Sequence, residues 1–163
     1  MKQLFLNRPM GIIALFLAVL LTGTAFGQNP DFSGKWKLNT AKSKLNPEFS
    51  MAPKQLNVEH KGNNLSLERM VEFQGQSMTI SDKFTLDGKE CINEGFQGSK
   101  KKSVVSWSED KKSMIIKTKF PMQDGGEISI TETIKLDSGT LNMVSAVSSD
   151  WGDMSETHVF DKM

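Results

Sequence analysis

The chain has 163 residues, 37% hydrophobic and 24% charged, with 20 basic side chains, 19 acidic ones and a single cysteine. That profile excludes a disordered tail, a multi-span membrane protein and a disulfide scaffold, and describes one ordinary globular domain. The near-neutral charge and the lack of a basic stripe also exclude the electrostatic footprint of a nucleic-acid binder.

At the start of the chain Lys2 and Arg8 precede an apolar run from Met10 to Leu21, which gives way to small and weakly polar residues ending Ala25-Phe26-Gly27. This order predicts a secretory signal peptide over residues 1–27, cleaved after Gly27. The run is shorter than the roughly 20 residues a membrane-spanning helix needs. No cysteine stands near the cleavage region to carry a lipid, so residues 28–163 are expected as a soluble, exported monomer, periplasmic or extracellular, without a membrane span. Removing Lys2 and Arg8 from the 20 basic residues leaves 18 against 19 acidic ones, a formal charge near −1.

From Gln55 onward runs of about eight to ten residues with alternating apolar positions are closed by turn signals at Gly62, Gly75, Gly88, Gly98, Asp110, Gly125, Gly139 and Gly152. The pattern predicts strands over 33–39, 55–61, 64–73, 76–86, 89–96, 100–108, 112–120, 127–136, 140–148 and 153–161. Only Thr40 to Asn46 is left as a candidate helical turn. Ten arms joined by tight turns predict an all-β fold, a single antiparallel up-and-down β-barrel, which also removes exposed sheet edges.

Alternation assigns an inward set that is mostly apolar, including Trp36, Leu38, Leu56, Val58, Leu65, Leu67, Phe84, Ile92, Phe96, Val105, Trp107, Met114, Ile116, Ile134, Leu141, Met143, Met154 and Phe160. The same parity turns His60, Arg69, Asp82, Glu94, Thr118, Glu132, Ser145, Glu156 and His158 inward. An unpaired buried charge costs several kcal/mol, so these groups must pair with one another or be reached by water and ligand. Arg69 and Asp82, nearly equidistant from the Gly75 turn, are expected to face each other. Two readings stand: an internal ion pair bridged by Glu94 or Glu132, or Arg69 left free to grip a ligand carboxylate. Lys100-Lys101-Lys102 reads as a solvated edge or turn, and Cys91 falls on the outward parity.

The segment Asp31-Phe32-Ser33-Gly34-Lys35-Trp36-Lys37-Leu38-Asn39 carries Gly34-x-Trp36 at the start of the first strand. It resembles lipocalins and, more widely, the calycins. The resemblance implies a first barrel strand whose tryptophan crosses the closed end and packs on a basic residue near the other terminus, for which Lys162 is the candidate. With Lys42-Ser43 following, the segment is most similar to small exported bacterial lipocalin-like domains, which implies a β-barrel with a binding role. Lipocalins have eight barrel strands and a C-terminal helix. Ten arms are closer to the intracellular fatty-acid-binding relatives, but those place two helices between their first two strands. Residues 40–54, with Pro47 and Pro53, are expected to form a loop over the barrel mouth instead.

Catalysis has few candidates. His60 and His158 are the only histidines, no serine has a nucleophile-elbow context, and Cys91 stands alone. A metal site from His60, His158 and Glu156 would need the second and last strands to meet across the barrel, and no ligand spacing supports it. Paired carboxylates such as Glu94 and Glu132 are a minor acid-base alternative. The leading expectation is a binding protein for a small hydrophobic or amphipathic molecule, without cofactor, metal or catalytic residues. Its binding residues would be His60, Arg69, Asp82, Glu94, Glu132 and His158. The alternative is a protein-interaction module with a filled barrel, contacting partners through residues 40–54 or Trp151. An internal void of roughly 300 Å³ or more separates the two.

Overall fold

A computed structural model describes residues 29–163 except 74, 96, 97, 123 and 124. The expected signal peptide, residues 1–27, and the expected inward Phe96 lie outside the described residues. Ten strands run as β1 Gly34–Leu38, β2 Gln55–Lys61, β3 Asn64–Phe73, β4 Gln76–Thr85, β5 Glu90–Glu94, β6 Lys100–Trp107, β7 Ser113–Pro121, β8 Glu127–Asp137, β9 Thr140–Ser149 and β10 Gly152–Lys162. All belong to one antiparallel sheet in the order β4-β3-β2-β1-β10-β9-β8-β7-β6-β5. The chain forms a nearly closed up-and-down β-barrel, as its strand rhythm predicts.

Turn chemistry sets the strand limits. The β8–β9 loop is only Ser138-Gly139, and both residues have positive φ, 49° and 83°. That is the backbone of a tight hairpin turn whose twist matches the flanking strands, and glycine takes it without a steric penalty. Gly34 answers a different demand. Its φ is 144°, and a Cβ there would sit 3.3 Å from the Lys162 side chain, so glycine lets β10 approach Trp36.

The β1–β10 pairing joins the first strand to the last, with Trp36 opposite Lys162 and Leu38 opposite Phe160. The remaining seam lies between β4 and β5, which are the two ends of the sheet order. Side chains bridge it. The Asn93 amide accepts from Lys83 N–H at 2.8 Å and donates to Lys83 C=O at 3.0 Å, and Cys91 Sγ accepts from Thr85 N–H at 3.2 Å. An amide side chain has the donor and acceptor of a peptide group, so Asn93 stands in for one rung of the missing ladder.

Two expectations about β5 are overturned. Cys91 lies opposite Ser103 and packs against the core, whereas Ile92 is exposed at 60% and Glu94 is also exposed. β5 therefore faces the other way, because its interior positions are occupied by the small thiol and by the bridging amide rather than by its most apolar residue. The candidate helical turn is realised as one turn only and does not reach Asn46. Lys42 and Ser43 donate to the Asn39 carbonyl in an isolated turn, and Lys44 then bridges to Thr157, which extends the chain along β10 instead of coiling it.

The up-and-down connectivity gives the barrel two ends. The β2–β3, β4–β5, β6–β7 and β8–β9 turns surround a closed end, where Phe32, Trp36, Leu56, Leu65, Leu67, Met114, Leu141 and Phe160 are buried. Phe32 stacks on Trp107 with ring centroids 5.9 Å apart, Trp36 Nε1–H donates to the Phe32 carbonyl at 3.0 Å, and Lys162 Nζ lies 5.5 Å from the Trp36 ring centroid. No water-sized space remains between Phe32, Leu56, Leu67 and Met114. The other turns and residues 39–54 surround the mouth.

Candidate functional site

Strand alternation carries four charged side chains into the barrel, from β3, β4, β6 and β8. Arg69 on β3 donates through Nη1 to Asp82 Oδ2 on β4 and through Nη2 to Glu132 Oε2 on β8, both at 2.6 Å. Lys101 Nζ on β6 lies 2.7 Å from Asp82 Oδ1 and 3.0 Å from Oδ2. Asp82 is buried, while Arg69, Glu132 and Lys101 keep 12%, 13% and 15% of their side-chain surface exposed, so water reaches the belt from the mouth. Charge-assisted bonds this short, closed on both sides of the guanidinium, offset the desolvation that isolated charges would suffer.

The belt decides between the two readings of Arg69. It is the bridged internal ion pair, and Arg69 is not free for a ligand carboxylate, because both terminal nitrogens already serve protein carboxylates. The bridge is Glu132 alone, since Glu94 is exposed on the outer face. Arg69 and Asp82 are also not directly opposite. Arg69 faces Ile80 and Asp82 faces Leu67, so the pair spans the ladder diagonally, within reach of a long arginine. Lys101 was hidden inside a run expected to be solvated. Its parity with buried Ser103 and Val105 was the signal that places it inside.

The two histidines occupy different ends. His60 lies at the closed end, with its ring centroid 6.3 Å from that of Trp107, its Nδ1 3.9 Å from Asp31 Oδ1 and its backbone N–H on Ser33 Oγ. It lines the barrel floor and does not join the belt. His158 is buried on β10, where Nε2 lies 3.1 Å from Glu156 Oε2. The notional metal set of His60, His158 and Glu156 is therefore not assembled, and the described residues hold no group of three metal-ligating side chains.

Glu156 ties the mouth loop to the barrel. Its Oε1 accepts the Asn46 backbone N–H at 2.7 Å, and Ser50 adds a side-chain hydrogen bond. Burial pushes the Glu156 carboxyl upward, but the Asn46, Ser50 and His158 hydrogen bonds outweigh it and hold the pKa below its ordinary value. Ionised Glu156 takes its hydrogen bond from Nε2–H of His158, which leaves the other ring nitrogen, Nδ1. That Nδ1 is buried and has no hydrogen-bond partner. A buried polar atom left unpaired costs on the order of 1–3 kcal/mol.

Toward the mouth, the inward-facing Ile80, Phe120, Ile128, Ile130, Val147 and Met154 are only partly buried, and Met78, opposite Val71, is 45% exposed. They are the inward apolar side chains on the mouth side of the charged belt. Beside them, Leu38, Leu45, Ala52 and Glu72 line a cleft of about 250 Å³ between the loop and the β3–β4 turn. Phe49, Met51 and Trp151 stand exposed, the first two on the loop and Trp151 at the β9–β10 tip.

No protein-family model matches the chain, and no curated protein does. Among solved structures it is similar to the zebrafish ileal bile acid-binding protein complexed with cholic acid, at 17% identity and a TM-score of 0.54, over 81% of this chain and 98% of that one. It is also similar to Caenorhabditis elegans lipid binding protein 8 in its apo form, at 14% identity and a TM-score of 0.54, over 81% of this chain and 95% of that one. At these identities the likeness establishes the calycin-type barrel fold.

Proposed function

We propose that this chain is an exported binding protein that holds a small hydrophobic or amphipathic molecule in the mouth half of its barrel. The observation that carries the reading is the set of inward apolar side chains from β4, β7, β8, β9 and β10 that remain partly open to solvent above a neutralised belt. A barrel built only for stability would bury them, because each fully buried side chain of this kind contributes about 1.5–3 kcal/mol. The similar structures support it, one being a bile acid-binding protein with cholic acid bound and the other a lipid binding protein. Export to the periplasm or beyond rests on the Lys2, Arg8 and Met10 to Leu21 pattern, and the protein acts there as a soluble monomer.

An interaction module is the second reading, favoured by the filled closed end and by Trp151, exposed at 74%. Native mass spectrometry of protein purified from its own host, with titration of the neutral fluorophore 1-aminoanthracene, separates the two. A retained small molecule, or saturable probe binding that Ile130→Arg abolishes, supports the carrier. A bare mass with no saturable probe binding overturns it in favour of the module.

A further inference from the structure

We propose that the cleft beside the barrel mouth is a second binding site, which takes a free α-amino acid with an aliphatic or thioether side chain. This goes beyond the carrier reading, because the site uses none of the belt residues and lies between the mouth loop and the outer end of β3. Leu38 on β1, Lys54 just before β2 and Glu72 on β3 form one wall, and Leu45, Ser50 and Ala52 of the mouth loop form the other. Both walls are held by hydrogen bonds. Leu38 N–H donates to the Lys54 carbonyl at 3.0 Å and Lys54 N–H to the Met70 carbonyl at 2.8 Å, which extends the sheet past the start of β2. Across the cleft, the Ser50 hydroxyl accepts the Ala52 N–H at 3.2 Å and also hydrogen-bonds Glu156, whose Oε1 holds the Asn46 N–H. A preformed site avoids the cost of ordering its lining when a ligand enters.

The lining selects the occupant. Lys54 Nζ and Glu72 Oε2 lie 3.8 Å apart, the longest lysine–carboxylate pair among the described residues and too long for a hydrogen bond. Their side chains are 55% and 50% exposed, so the pair contributes little to the fold, and the ammonium donors and carboxylate lone pairs stay open to a ligand. An amine in the cleft would gain Glu72 but be repelled by Lys54, and a carboxylate would meet the reverse. A zwitterion satisfies both. Standard N–Cα and Cα–C bonds set the ammonium and carboxylate of an α-amino acid roughly 3 Å apart, close to the Lys54–Glu72 separation. Its carboxylate then meets Lys54 and its ammonium Glu72, four charges alternating in sign around one rectangle, while Leu38, Leu45 and Ala52 take the side chain. The size agrees, since 250 Å³ is the space of about eight waters, enough for leucine or methionine and below the roughly 300 Å³ from which pockets for larger ligands begin.

The test compares leucine with isoamylamine, which lacks its carboxylate, and 4-methylpentanoate, which lacks its ammonium. Each is titrated into the protein at pH 7 by calorimetry and by NMR of the Ser50 and Ala52 amides. Leucine is expected to bind about tenfold or more tightly than either analogue, because only it pairs with both charges. Lys54→Met and Glu72→Gln should each reduce leucine to the level of the analogues, and both variants should keep the wild-type melting temperature because the pair is solvent-exposed. The double exchange Lys54→Glu with Glu72→Lys should restore leucine binding, since the zwitterion fits the reversed pair when turned round. Saturating leucine should leave 1-aminoanthracene bound in the barrel. Equal affinity for the three molecules, cleft amides that do not shift, or wild-type leucine binding by both single variants overturns the proposal and leaves the carrier intact. Displacement of the probe by leucine overturns the assignment to a separate site.

Discussion

Phe160 and Met154 lie on the same face of the same strand, and both are apolar, yet the first is completely buried and the second only half-buried. The difference runs around the whole barrel. At the closed end Leu56, Leu67, Met114 and Leu141 fill the lumen to contact, while at the mouth Ile80, Ile128, Ile130 and Val147 are only partly buried. Between the two lies the belt of Arg69, Asp82, Lys101 and Glu132. One strand pattern thus yields a packed plug that holds the fold and a less buried apolar rim above it, and the charges mark the boundary.

The contrast breaks most directly by truncating matched side chains. Phe160→Ala should cost about 3–5 kcal/mol, through lost burial and a residual cavity, whereas Met154→Ala should cost less than about 1 kcal/mol because water already wets its site. Urea denaturation of both variants measures this, and equal losses would show that the mouth is as tightly filled as the floor. Removing the arginine of the boundary comes next. Arg69→Met leaves Glu132 without its partner and Asp82 with Lys101 alone, an expected loss of about 2–4 kcal/mol, discounted from a fully buried pair for the water that reaches the belt. Adding Glu132→Gln to that variant should recover about 1 kcal/mol or more, because the stranded charge is then gone.

The smallest effect separates the mouth loop from the plug. The Glu156 carboxyl has a lowered pKa in the folded protein, so its contribution is present in full above its ordinary value of 4.5 and is lost as pH falls through the folded value. Wild type and Glu156→Gln should therefore converge in stability as the pH drops below about 4.5, and diverge by about 1 kcal/mol above it. Thermal melts from pH 3 to pH 7 read the difference, and a constant gap between the two proteins would mean that Glu156 does not anchor Asn46 and Ser50.

The fold was legible because turns are local: glycines at 62, 75, 88, 98, 125, 139 and 152 all adopt positive φ and delimit the strands where alternation predicts them. Much of the belt was legible from parity alone, in Arg69, Asp82 and Glu132, and so was the inward placement of His158. The failures cluster at β5. Ile92 and Glu94 were assigned inward because Ile92 is the more apolar choice, but an end strand without a backbone partner uses its inner positions to bridge the seam, and Cys91 and Asn93 do that. Lys101 shows the opposite error, in which a local run of like charges masks one long side chain that a distant aspartate draws inside. Neither the diagonal reach of Arg69 to Asp82 nor the orphaned His158 Nδ1 is a property of sequence spacing, since both depend on how far apart the curled strands come to rest.

The sheet order also dictates how the barrel assembles. β1 to β4 form one meander and β5 to β10 another, each made of consecutive hairpins that close over a few residues. Two junctions close the sheet between them: the short β1–β10 ladder, which pairs residues from opposite ends of the described chain, and the seam held by Asn93 and Cys91. Closing so long a loop carries the largest entropy cost in the molecule, so it follows the local hairpins rather than preceding them. Gly34 and Lys162, which sit at that junction, therefore govern the late docking of two preformed ribbons, and mutations there should slow folding less than they speed the barrel's unfolding.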